Sequence, residues 1–152
     1  MDRFLALSPA DQTMAFEQAA LRRGLSASSV EKDFWVSLIL RELFMLRELA
    51  DHLTFKGGTS LSKPWGLIDR FSEDVDLPIG RESLGFDGKA APDAAGSRKE
   101  RDRRLKALKA ACGVAVTSRV MPPLGDRLGT LLSGRSAWGL AADADDPDAQ
   151  TL

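Results

Sequence analysis

Two short segments hold the residues of this chain whose types and spacing could act together chemically: Gly57-Gly58-Thr59-Ser60-Leu61-Ser62-Lys63 and Ser72-Glu73-Asp74-Val75-Asp76. A Gly-Gly turn lets backbone come close to a phosphate. A helix starting just after it would aim free N–H groups and the positive end of its dipole at the anion. The Thr59 and Ser60 hydroxyls can donate to phosphate oxygens, and Lys63, four residues on, returns to the same end of the helix as a point charge. Asp74 and Asp76 lie two apart in an alternating segment, so a strand would point both carboxylates to one face. Paired hard oxygen ligands suit Mg²⁺ bridging nucleotide phosphates, where the metal neutralises charge developing at phosphorus. The candidate site is thus Gly57, Gly58, Thr59, Ser60 and Lys63 for the nucleotide, Asp74 and Asp76 for the metal, with Asp74, Asp76 and Lys63 carrying the catalysis.

Each half has a plainer account. Gly-Gly-Thr is also an ordinary tight turn with a capping Thr. Asp-x-Asp recurs at Asp143/Asp145 and Asp146/Asp148, so the tripeptide has little specificity. Its setting between Phe71 and Ile79 sets the first pair apart, because an unpaired buried carboxylate is costly. A metal would account for that placement, and so would a half-exposed edge strand.

Seven basic residues fall within the twelve from Arg98 to Lys109, opposed by Glu100 and Asp102. They could hold an RNA backbone or NTP phosphates, or form a solvated helix face. Glu31 and Asp33 suit a helix's first turn, where acids complement the dipole. His52 has no placed partner and stays outside the site. Cys112 reads as a packed residue on an apolar helix face, and Trp35, Trp65 and Trp138 as core or partner anchors.

The elements that must position these groups follow from periodicity and caps. Ser8-Pro9 starts a helix that runs to Arg22 and ends at Gly24. Ser28-Ser29-Val30-Glu31 has a capping-box pattern and opens a second helix reaching about Leu49. Leu53–Lys56 reads as a strand, Thr59 to about Ile68 as a helix with Pro64 near its start, and Phe71–Ile79 as a second strand. Residues 80–97 read as a flexible loop. Arg98 to about Arg119 reads as a helix weakened by Gly113, and Pro122-Pro123 interrupts the chain before a short helix over Asp126–Leu132. Asp143–Asp148 is turn-like, and Gln150-Thr151-Leu152 looks like the first step of a strand.

A chain of 152 residues is one domain's worth, large enough to bury a core without staples. With 43% hydrophobic and 28% charged residues it has an ordinary globular composition, and a net charge of -1 excludes a global polycation. One cysteine excludes an intramolecular disulfide and a cysteine-based zinc cluster. No apolar run is long enough to span a membrane and no signal-peptide core is present, so the expected location is the cytoplasm.

The segments Glu31-Lys32-Asp33-Phe34-Trp35-Val36, Phe55-Lys56-Gly57-Gly58-Thr59-Ser60-Leu61-Ser62-Lys63 and Arg70-Phe71-Ser72-Glu73-Asp74-Val75-Asp76-Leu77 resemble the AbiEii/AbiGii toxin family of nucleotidyltransferases, within the DNA polymerase β-like superfamily. The resemblance covers about residues 28–80 and continues through the Arg104–Cys112 and Asp145–Leu152 segments. It implies an α+β fold, a polymerase β-like core with a small mixed sheet flanked by helices. It also implies Mg²⁺-dependent transfer of a nucleotide from an NTP to an acceptor such as tRNA, a cognate antitoxin, and a role in abortive infection. Members of the family are usually about twice this length, and their later half supplies further active-site residues without a counterpart here after residue 112. The resemblance therefore implies an incomplete core, residues 1–152 forming its N-terminal domain. Besides an active transferase, it leaves open a truncated, non-catalytic remnant that binds antitoxin or nucleic acid.

Overall fold

Serine hydroxyls cap the three longest helices. The computed structural model describes residues 1–57, 75–135 and 138–152. After a single turn, α1 (Asp2–Leu5), the Ser8 hydroxyl accepts the Asp11 N–H at 3.2 Å and opens α2 (Pro9–Arg23), which Gly24 closes at φ 66° as its sequence implies. The Gln12 amide is buried and donates to the carbonyls of Phe4 (2.9 Å), Leu5 (3.3 Å) and Leu7 (3.2 Å), which ties the end of the short α1 to α2. Phe4, Phe16 and Phe34 pack ring on ring, with Phe4 4.9 Å from Phe16 and 4.6 Å from Phe34, and so tie α1 and α2 to α3 (Ala27–Phe44).

The start of α3 differs from the capping box expected at Ser28-Ser29. Ser26 is the N-cap, its extended backbone letting Oγ accept the Ser29 N–H at 3.0 Å. The helix also stops at Phe44 rather than near Leu49, and a separate turn, α4 (Arg47–Ala50), follows. Leu43, Leu46 and Leu49 keep three-residue spacing across the break and enter one core, so the apolar period conceals it.

A second helical arm begins where the Ser97 hydroxyl accepts the Glu100 N–H at 3.2 Å, opening α5 (Arg98–Ala115). Pro122 and Pro123 do not interrupt it as the sequence suggested. They sit in the first turn of α6 (Met121–Leu131), and a π turn over Val116–Val120 joins the two helices. Prolines lack the N–H groups that would bond the preceding turn, and the widened turn accommodates this while the Ser118 hydroxyl donates to the Val114 carbonyl at 2.6 Å. Val120, Leu124, Leu128 and Leu132 then meet Leu43, Leu46 and Leu49, with Trp35 and Ile39 of α3 against them.

Inside this core lies a charged contact. Glu42 is 1% exposed; its Oε1 accepts Arg41 Nε at 2.7 Å and its Oε2 accepts Arg127 Nε at 2.7 Å, which pins α6 to α3 across 85 residues of chain. Arg41 also pairs with Asp2 at 2.8 Å. Burial opposes its charge, but hydrogen bonds to Asp2 and Glu42 outweigh this and raise its pKa above the ordinary value.

The expected α+β class, with a small mixed sheet, is overturned. Among the described residues the regular structure is helical, and the segments expected to be strands touch only through two isolated antiparallel bridges, Leu53 with Ile79 and Lys56 with Asp76. Their two-residue alternation is real: Leu53, Leu77 and Ile79 pack on the core while Thr54, Lys56, Asp76 and Pro78 are exposed. Among the described residues these two four-residue segments have no third strand beside them, which gives too few cross-strand bonds for a ladder, so one apolar face packs on helices instead. The expected helix from Thr59 lies outside the described residues.

Residues 80–97, expected as a flexible loop, wind into three short 3₁₀ turns, Arg81–Leu84, Gly88–Ala90 and Pro92–Ala94. Arg104 holds them to α5 by donating to the carbonyls of Lys89 (2.6 Å) and Ala91 (2.8 Å), and Arg81 pairs with Asp93 at 2.6 Å. The C-terminal Gln150–Leu152 segment is not a strand. It closes a turn in which Asp146 accepts from Gln150 N–H (2.8 Å) and the Thr151 hydroxyl (2.9 Å). Asp148 pairs with Lys109, and Gly113 lets the tail lie against α5, because a Cβ there would collide with the Asp148 carbonyl. Among the described residues no helix is long and apolar enough to cross a membrane.

Candidate functional site

The paired segments 53–56 and 76–79 form the frame of the site. Lys56 N–H donates to the Asp76 carbonyl at 3.1 Å, Thr54 N–H to Pro78 at 3.0 Å, and Gly80 N–H to His52 at 2.7 Å. The core-facing side chains Leu53, Leu77 and Ile79 anchor the pair, and the alternation then sends Lys56 and Asp76 to solvent, opposite one another.

At the end of the first segment Gly57 turns the chain at φ 77°. A Cβ on Gly57 would collide with Asp76 Oδ2. Glycine is thus needed twice, for the left-handed backbone and for the room the carboxylate occupies. The opening residue of the expected phosphate turn and the second carboxylate of the expected metal pair, 19 positions apart in sequence, meet here. Gly58, Thr59, Ser60, Lys63 and Asp74, the other expected site residues, lie outside the described residues.

An exposed carboxylate beside a glycine turn can carry a hard cation that keeps most of its ligands as water and phosphate oxygen. Mg²⁺ is commonly bound in this way, through one or two protein carboxylates. Asp76 fits that requirement: it is exposed, and no side chain of Gly57 crowds its carboxylate. Among the described residues no cluster of three or more His, Cys, Asp or Glu could hold a metal ion by itself.

The tail aspartates that share the Asp-x-Asp spacing are spent differently. Asp143 Oδ1 accepts Asp145 N–H at 2.9 Å, Asp146 Oδ1 accepts Asp148 N–H at 2.9 Å, and Asp148 pairs with Lys109. They stabilise turns by local side-chain-to-backbone bonds. The Asp148 N–H bond foremost, with Gln150 and the Thr151 hydroxyl, holds the Asp146 carboxyl below the usual aspartate value.

Two features escaped sequence reasoning. His52 Nδ1 lies 3.7 Å from Glu82 Oε1, at the far end of the paired segments. The Glu42–Arg127 contact had one available signal, an acid among the apolar residues Leu38, Ile39, Leu43 and Leu46 on a helix. Cys112 is half-buried on α5 and burial pushes its thiol pKa up, the opposite of what activates a nucleophile.

Compared with known protein families, residues 38–128 match the family described as nucleotidyl transferase AbiEii toxin, Type IV TA system. The matched span is more than half of the chain and contains Glu42, Gly57, Asp76, α5 and most of α6. No curated protein and no solved structure matches the chain.

Proposed function

The chain belongs to the AbiEii nucleotidyl transferase toxin family, and from that premise we propose that it transfers a nucleotide from an NTP to an RNA acceptor of the tRNA class, with Mg²⁺. The observation that carries the site assignment is the meeting of Gly57 with the Asp76 carboxylate. It supports a phosphate-approach turn and a metal ligand working at one place.

In this reading Asp76, with Asp74, holds the cation, whose chemistry when bound is to neutralise charge on the NTP phosphates. Gly57 and Gly58 give the triphosphate a close approach to backbone, the Thr59 and Ser60 hydroxyls orient it, and Lys63 offsets its charge. An acceptor hydroxyl attacks the α-phosphorus and pyrophosphate leaves, a displacement that asks the protein mainly for positioning and electrostatic support. The family is that of a toxin, so the partner protein is a cognate antitoxin. The cytoplasm, which supplies NTP and RNA, is the proposed place of action.

The test is incubation of the purified chain with each α-labelled NTP, Mg²⁺ and total tRNA. Label should move to RNA with wild type and fail to move with Asp76→Asn or Gly57→Ala, both still folded by circular dichroism. Undiminished transfer by folded Asp76→Asn would remove this residue from the site.

A further inference from the structure

The basic run of α5 divides, in the structure, into residues that hold the fold and residues that do not. Arg104 is committed to the carbonyls of Lys89 and Ala91, and Lys109 to Asp148. Both acids of the run are engaged as well: Glu100 accepts Arg103 at 2.8 Å and Arg104 at 2.9 Å, and Asp102 lies 4.0 Å from Arg98. Lys99 and Lys106 are exposed and make no ion pair among the described residues.

Lys99, Arg103 and Lys106 are spaced by four and three residues, so they form one line along the helix, about 10 Å long at 1.5 Å per residue. Leu108, Cys112 and Ala115 lie on the opposite side, turned toward the protein. Arg103 keeps an exposed pair with Glu100, a contact that costs little to exchange for another anion. The twelve residues of the run carry seven basic and two acidic groups, leaving fourteen basic and twenty acidic elsewhere, so positive charge is concentrated here on an otherwise acidic chain.

We propose that this solvent face of α5, through Lys99, Arg103 and Lys106, binds the phosphate backbone of the RNA acceptor. The proposal deepens the transferase reading and rests on its acceptor class; the location comes from the division of charges on α5. RNA is favoured over an anionic membrane because Leu108, Cys112 and Ala115 of α5 turn inward to the protein, and its large exposed apolar residues, Leu105 and Val114, fall on opposite sides of the helix and form no continuous apolar face. A helix lying in a lipid interface needs such a face for the acyl region. A line of point charges without interleaved large apolar residues suits a backbone read by charge, independent of base sequence.

The experiment is fluorescence anisotropy of a labelled RNA hairpin with a single-stranded 3′ end, titrated with the full chain at several KCl concentrations, without NTP or Mg²⁺. Lys99→Glu/Lys106→Glu should weaken binding at least about tenfold, and Lys99→Ala/Lys106→Ala should lower the salt slope by about 1.4, the value for two single-strand phosphate contacts. Lys99→Arg/Lys106→Arg should restore wild-type affinity. Arg22→Glu/Arg23→Glu on α2, with the same change in net charge, should bind nearly as wild type. Equal loss from both charge reversals, or none from the α5 variant, overturns the proposal. So does binding to phosphatidylserine vesicles through the same residues without binding to RNA. Because the assay omits NTP and metal, its failure leaves the nucleotide site untouched, and failure of NTP binding leaves this face untouched.

Discussion

Glu42→Gln should be the most damaging conservative substitution in the helical core. The carboxylate is 1% exposed and accepts from two guanidinium groups, Arg41 on one oxygen and Arg127 on the other, each at 2.7 Å. An amide keeps the shape but presents a donor to one of those arginines and removes the charge from both contacts. Hydrogen bonds to charged groups contribute about 1.5–3 kcal/mol each, and breaking a buried pair costs about 3–5 kcal/mol. The Arg41 and Arg127 side chains are 25% and 38% exposed and can be partly rehydrated, which places the cost at the lower end. A loss of about 3 kcal/mol at roughly 3 °C per kcal/mol gives a fall in Tm of about 9 °C for a chain of this size. Thermal melts followed at 222 nm would measure it, and a cycle with Arg127→Gln should give a coupling energy of roughly 1–3 kcal/mol. A Tm within about 2 °C of wild type, or strictly additive single losses, would refute the claim that this contact pins α6 to α3.

Arg104→Met should release the 3₁₀ turns at Gly88–Ala90 and Pro92–Ala94 from α5 while leaving α5 itself helical; limited proteolysis would show new cleavage between residues 85 and 96. Acid should loosen the tail. Asp146 has a carboxyl pKa held below the ordinary 3.8, so its contribution is complete above that value and is lost as pH falls through the lower, folded one. Amide signals of Gln150 and Thr151 should therefore stay constant between about pH 5 and 8 and lose their protection only in strong acid. Loss of protection near neutrality would refute the assignment of Asp146 as the turn's acceptor.

Local signals were legible where they are short-range. Ser8-Pro9 and Gly24 bound α2 as their chemistry requires, and the alternation in Leu53–Lys56 and Asp76–Ile79 does sort core-facing from exposed residues. Alternation reports which face is buried, not whether neighbouring strands complete a sheet, so this period does not by itself imply a mixed sheet. The prolines at 122 and 123 mislead for a related reason: their missing N–H groups need a partnerless position, and a helix start supplies one as well as a break does. Gly113 read as a weakness of α5, yet its missing Cβ is what admits the tail. Within the candidate site, Gly57 and Asp76 could each be named from sequence. That they touch could not, because the register joining Lys56 to Asp76 depends on how both segments pack against distant leucines.

Asp76 beside Gly57 is proposed to serve a metal–nucleotide site. Calorimetric titration of each NTP into the chain, with Mg²⁺ and with EDTA, and again with Asp76→Asn, decides this role. NTP binding by wild type should require Mg²⁺ and be lost in a variant with an unchanged melting temperature. Metal-independent binding, or binding that a folded Asp76→Asn retains, would contradict it.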